Sequence, residues 1–161
     1  MGEYLPSLIA VVGTLLGACL GFLFQGRLIT RQMNETRLDK RREDYIDAAT
    51  ALASAISTLI QAEYNRAKLR IDRIEGEQRN TARQYIYDMR TAARAAAYRL
   101  QIVGSPIEDR ELPATLDSLI ELCRRISAHS TTIEETDKRS AAAKAALATL
   151  VSDANKRARE I

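Results

Sequence analysis

The residues of this 161-residue chain that could carry chemistry are few and scattered. There is one histidine, His129, and there are two cysteines, Cys19 and Cys123. His129 stands near Glu134 and Glu135, an imidazole–carboxylate grouping of the kind that binds divalent metals. At a helix start such carboxylates serve cap and dipole needs first, so we expect no metal and no cofactor. Cys123 has no base near it in sequence and falls on the apolar stripe of a helical pattern, which makes it a small packed hydrophobe. The acidic clusters IEDRE and IEETD also fall at predicted helix N-termini and do not read as an acid/base pair. Arg94, Arg99, Arg124, Arg125, Arg139 and Arg157 could meet phosphates, but acids are mixed among them. A nucleic-acid groove segregates its charge and adds aromatic stacking, for which Tyr85 and Tyr87 lie close to arginines. Phosphate-loop, dinucleotide, zinc-helix and Cys-x-x-Cys motifs are missing. We expect neither an enzyme nor a nucleic-acid partner.

The elements that would position these residues begin with an uncharged run, Leu5–Phe24, in which eleven residues are Leu, Ile, Val or Phe. A helix of ~20 such residues matches the ~30 Å hydrocarbon core of a bilayer. The apolar residues favour insertion by roughly −3 to −6 kcal/mol. A cleaved signal would need a basic n-region, and MGEY has none. Leu16-Gly17-Ala18-Cys19 approximates a lipoprotein signal, but LGFLF after Cys19 stays apolar. The reading is an uncleaved span. Arg27, Arg31, Arg37, Lys40, Arg41 and Arg42 all follow it, which puts the C-terminal part in the bacterial cytoplasm and the N-terminus outside. Tyr4 would sit at the outer interface, and Arg27 and Arg31 at the inner headgroups. Gly13, Gly17 and Gly21 repeat every four residues. They form either a stripe for close helix packing or the glycine content usual in membrane helices.

The chain thus divides into an anchor (1–26), a charged juxtamembrane stalk (27–44) and a cytoplasmic helical bundle (45–161). Basic residues number 24 against 21 acidic, so the surface is mixed and solvated. The stalk's arginines are interleaved with Glu35, Asp39, Glu43 and Asp44 and do not form a clean lipid clamp. Hydrophobic residues reach 46% but aromatics only 5%, and much of the rest is alanine, so the core is thin for its length.

Apolar periodicity predicts four helices in the bundle. The first covers about Met33–Glu75, either separate from the membrane helix or continuous with it, with Tyr45, Ala49, Leu52, Ile56 and Leu59 inward, Ile46, Ala53 and Ile60 widening the stripe, and Gly76 as the break. The second covers Glu77–Val103, with Tyr85 or Ile86, Met89, Ala93, Ala96, Leu100 and Val103 inward, and Gly104 as its C′ stop. Arg83, Arg90, Arg94 and Arg99 lie mostly off that stripe. The third starts at Ser105-Pro106 or re-starts near Pro113, runs to about Ala128 and points Leu112, Leu116, Leu119, Ile120, Cys123 and Ile126 inward. The fourth covers about Thr132–Arg159, with Ile133, Thr136, Ser140, Ala143, Leu147, Leu150 and Ala154 inward. Thr131/Glu134 and Thr132/Glu135 both offer capping-box spacing at its start. The fold class is all-α: one N-terminal transmembrane helix followed by an elongated antiparallel bundle.

The stretch SLIAVVGTLLGACLGFLFQGRLITRQMNETRLDKRREDYIDAA resembles the start of small actinobacterial membrane proteins of the KilB-like type, which are associated with conjugative-plasmid spread. The likeness covers about the first 50 residues, and the alanine and arginine richness of the remainder is also similar. It implies a cytoplasmic-membrane protein of a mobile element, and it brings no catalytic residues with it. Two classes of function remain. One is a bitopic scaffold that presents its bundle to a partner, with self-association in the bilayer. The other is a membrane-active module, a toxin- or holin-like pore or a ligand-sensing relay. A pore needs a polar stripe in the span, where only Ser7 and Thr14 are available, so the scaffold is the stronger reading.

Overall fold

A computed structural model describes the backbone of residues 4–104 and 111–160, with side chains from residue 32 onward except Asn34, His129 and the gap at 105–110. Four helices account for it: α1 (Tyr4–Ile71), α2 (Glu77–Val103), α3 (Leu112–His129) and α4 (Ile133–Glu160). Among the described residues there is no strand, and no helix is long and apolar enough to cross a membrane. The side chains of Leu5–Phe24, including Gly13, Gly17 and Gly21, and those of Tyr4, Arg27 and Arg31 lie outside the described residues. So does the Ser105-Pro106 cap. The chain divides into two compact units, Met1–Lys40 and Arg41–Ile161.

In the second unit, α1 turns Tyr45, Ala48, Leu52, Ile56, Leu59 and Ile60 into the core. Steps of three and four residues put them on one face, and each large side chain so buried contributes about 1.5–3 kcal/mol. Ile46, predicted to widen this stripe, is exposed. Helix α1 stops at Ile71, short of the expected Glu75. The Ile74 N–H donates to the Leu69 carbonyl at 2.9 Å and the Arg73 N–H to that of Arg70 at 3.2 Å, the paired bonds of a Schellman cap. Arg73 holds the left-handed position of that cap at φ 54°. A side chain there costs roughly 1–2 kcal/mol, which is why glycine usually fills it and why the stop was hard to see. Gly76 lies further on, at φ 89°, as the residue that opens α2.

Helix α2 buries Ile86, Ala93, Ala97 and Leu100, with Met89 and Ala96 half-buried beside them. Of the two candidates for its first inward position, Ile86 is buried and Tyr85 exposed, and Val103 also faces out. Gly104 ends α2 at φ −66°, so its role is not conformational freedom. It is buried, and a Cβ there would stand 3.1 Å from the Leu100 carbonyl oxygen and within 4 Å of Tyr45 and Leu112.

Helix α3 begins at the second of the two predicted starts, with Pro113 in its first turn, where no N–H is needed. Leu112, Leu116, Leu119, Cys123 and Ile126 are buried. The α4 cap uses Thr132/Glu135. The Glu135 N–H donates to Thr132 Oγ1 at 3.2 Å, while the Glu135 carboxylate accepts from the Thr131 N–H at 2.8 Å and from its hydroxyl at 3.0 Å. Thr136, Ser140, Ala143, Leu150, Ala154 and Ala158 are buried on α4, Leu147 is half-buried, and Ile133 is exposed. Small side chains at Thr136, Ser140 and Ala143 let the α3 and α4 backbones approach closely. Tyr64 on α1 donates to Asp137 on α4 at 2.9 Å, and Arg139 donates to the Arg125 carbonyl at 3.1 Å.

Candidate functional site

Three apolar stripes meet at a polar node. Glu63 falls on the α1 stripe, four residues after Leu59 and four before Ala67, and its side chain is 0% exposed. From α2, Arg90 Nε donates to Glu63 Oε1 at 2.7 Å, and its terminal nitrogen lies 2.5 Å from the same oxygen. From α3, the Ser127 hydroxyl donates to Glu63 Oε2. Arg90 is only 22% exposed, so the expectation that it lies off the inner stripe is corrected. The carboxylate draws it in, because a buried charge must be paired. The sequence reading did not find Glu63. The signal was present as a polar residue interrupting the stripe on each of three helices.

Both carboxylate oxygens have partners and the group has no surface, so the node offers a substrate no face. Its chemistry is that of an interlock between α1, α2 and α3. Cys123 lies in its field. Burial, then the Glu63 charge, pushes its thiol up to about 12, so it is protonated at neutral pH. Beside it, the Ser130 hydroxyl donates to the Ile126 carbonyl at 2.6 Å, and Arg70 donates to the Ser130 carbonyl. Backbone and hydroxyl hydrogen bonds from Thr131 hold the Glu135 carboxyl below its usual range, as a cap residue should be. The His129 side chain lies outside the described residues. Glu111 opens α3 without a side-chain cap bond.

The predicted core positions are placed as follows. Leu52, Ile56, Leu59, Leu100, Leu116, Leu119 and Leu150 are buried, and Met89 and Leu147 are half-buried against them. The outer face of α2 carries five of the large exposed hydrophobic side chains among the described residues, with others on α1 and α4. Tyr98 and Ile102, one turn apart, face solvent, Ile102 at 81% exposure. Tyr85 lines a cleft of about 590 Å³ between α1 and α2, with Ala62, Leu69 and Ala82. Exposed aromatic and aliphatic side chains of this kind serve protein contacts better than small-molecule chemistry.

The fold and this distribution define an all-α bundle with an interlocked interior and several large apolar side chains exposed on α2. Residues 46–159 match the family described as KilB plasmid transfer protein, and the chain belongs to that family. The match falls on the helical unit, whereas the likeness drawn from sequence rested on the first 50 residues. No curated protein and no solved structure matched.

Proposed function

We propose that the chain is a bitopic scaffold of plasmid transfer, anchored in the bacterial cytoplasmic membrane by Leu5–Phe24 and presenting residues 45–161 to a protein partner in the cytoplasm. The family match across 46–159 is the observation that carries it. The uncharged opening run and the basic residues after it support the anchor and its orientation. Tyr98 and Ile102 are the side chains we assign to the partner contact, since nothing in the fold requires them to be apolar. The reading involves no reaction. Self-association through Gly13, Gly17 and Gly21 would add a second copy in the bilayer.

Plasmid transfer frequency tests it. A chain lacking Leu5–Phe24 should leave the alkali-washed membrane pellet and lower transfer, and Ile102→Glu should lower transfer while the chain stays in the pellet and its Tm holds. Full transfer by both variants would refute the reading. So would digestion of a C-terminal tag by protease added to unbroken spheroplasts, which would place the bundle outside.

A further inference from the structure

The turn between α1 and α2 encloses a cavity of about 450 Å³ that no structural need explains. Arg66 and Arg70 reach it from the last turns of α1, and Arg79 and Arg83 from the first turns of α2. Each pair is spaced i,i+4, the spacing at which like charges repel along a helix. Arg79 sits in the first turn of α2, where the helix dipole disfavours a cation. Glu75 is the one acid among the described lining residues, and its 3.9 Å approach to Arg79 is loose and exposed. Four arginines against one glutamate leave the lining a net charge of +3.

The surroundings agree. Arg83 lies 6.0 Å from the centroid of the Tyr87 ring, and its hydrogen bond, then its charge, lowers that phenol. The charges of Arg66 and Arg90 act in the same direction. Asn80 adds a neutral polar group to the lining, and Gly76 leaves open space where a Cβ would stand. No side chain caps the α2 N-terminus, which starts at Gly76 in the cavity lining.

We infer that this cavity binds an oligophosphate group, as free inorganic oligophosphate or as the phosphate chain of a nucleotide, clasped by Arg66, Arg79 and Arg83, with Arg70, held on the Ser130 carbonyl, adding its charge. Guanidinium forks match phosphate oxygens two by two, and a ligand of about three negative charges neutralises the lining. The volume is that of a small-molecule site, and its concavity suits a compact ligand better than a duplex backbone. A bound oligophosphate would tie the end of α1 to the start of α2.

Calorimetric titration of the full chain in nonionic detergent, at fixed salt, tests it. Tripolyphosphate and adenosine triphosphate are the two probes. Saturable binding tighter than about 1 mM is expected for at least one of them. Equal affinities would assign the site to the phosphate chain alone, and tighter binding of the nucleotide would assign it to nucleotides. R79Q/R83Q should weaken binding about tenfold or more, whereas R41Q/R42Q, with the same loss of charge away from the cavity, should change it less than about twofold. E75Q should tighten it. R79K/R83K, which keeps the charge and loses the forks, should fall between, so a failure to bind is not confused with a failure to fold. Equal losses in R79Q/R83Q and R41Q/R42Q would overturn the site in favour of diffuse attraction. Saturable binding of a short DNA duplex with no binding of either probe would overturn it as well.

Discussion

Glu63 and Glu121 each gather arginine, and their surroundings make them different objects. Glu63 is closed off from water and joins three helices through Arg90 and Ser127. Glu121 sits on one helix with Arg124, at 2.7 Å and 2.9 Å, and Arg125, at 3.3 Å, all open to solvent. In water the attraction is screened and two long side chains are held at an entropic cost, so an exposed cluster adds little to stability. In the interior the attraction is strong, but so is the cost of desolvation, and what matters is that no partner be left alone. Geometry alone would rank the two alike. Burial separates them, and it turns the first into a constraint on how the helices can be arranged.

The largest test removes the buried carboxylate. Glu63→Ala strands Arg90 and should lower stability by about 3–5 kcal/mol in chemical denaturation. A smaller change would mean that water reaches the node. Replacing the whole group, E63M/R90M/S127A, should recover most of that loss, because no unpaired charge remains. Cys123 then reports on the closure. Its thiol is buried and pushed up to about 12, so maleimide should label the native chain very slowly at pH 7.5 and much faster in Glu63→Ala. Equal rates would mean that the node does not keep Cys123 shut in.

The smallest effect belongs to Glu121. Hydrogen bonds from Arg124 and then Arg125 hold its carboxyl down to about 2, well below the ordinary 4.5 of a glutamate. The folded form therefore binds the proton less readily than the unfolded chain. Its contribution is present in full above pH 4.5 and is lost as the pH falls to about 2. Carbon-detected NMR should show the titration returning towards 4.5 in R124Q/R125Q, with Tm unchanged. A fall in Tm comparable with that of Glu63→Ala would erase the distinction between the two clusters.

Much of the fold was legible because each helix announces itself locally. Gly76 and Gly104 bracket α2, Pro113 marks the start of α3, and the Thr132/Glu135 spacing marks α4. The end of α1 was hidden because Arg73, a residue with no preference for the left-handed region, takes that place in the cap. Tyr85 and Ile86 could not be ranked from spacing, since adjacent residues differ by about 100° around a helix and either fits a broad stripe. Glu63, Arg90 and Ser127 each break an apolar stripe in plain view. That the three breaks meet is a property of how α1, α2 and α3 are arranged, and no single stripe carries it. The arginine-lined cavity was hidden for the same reason, because two ordinary charged helix ends become one site only when a turn folds them together.

The charge interlock reaches α1, α2 and α3 but not α4. Helix α4 buries mostly alanine, serine and threonine, with Leu150 the one large side chain among them. Little greasy surface is therefore hidden along its length, and what holds it is close fit against α3 together with a few hydrogen bonds. That sets an order of dismantling: the C-terminal helix should detach first, its amides exchanging with solvent while the other three remain clamped.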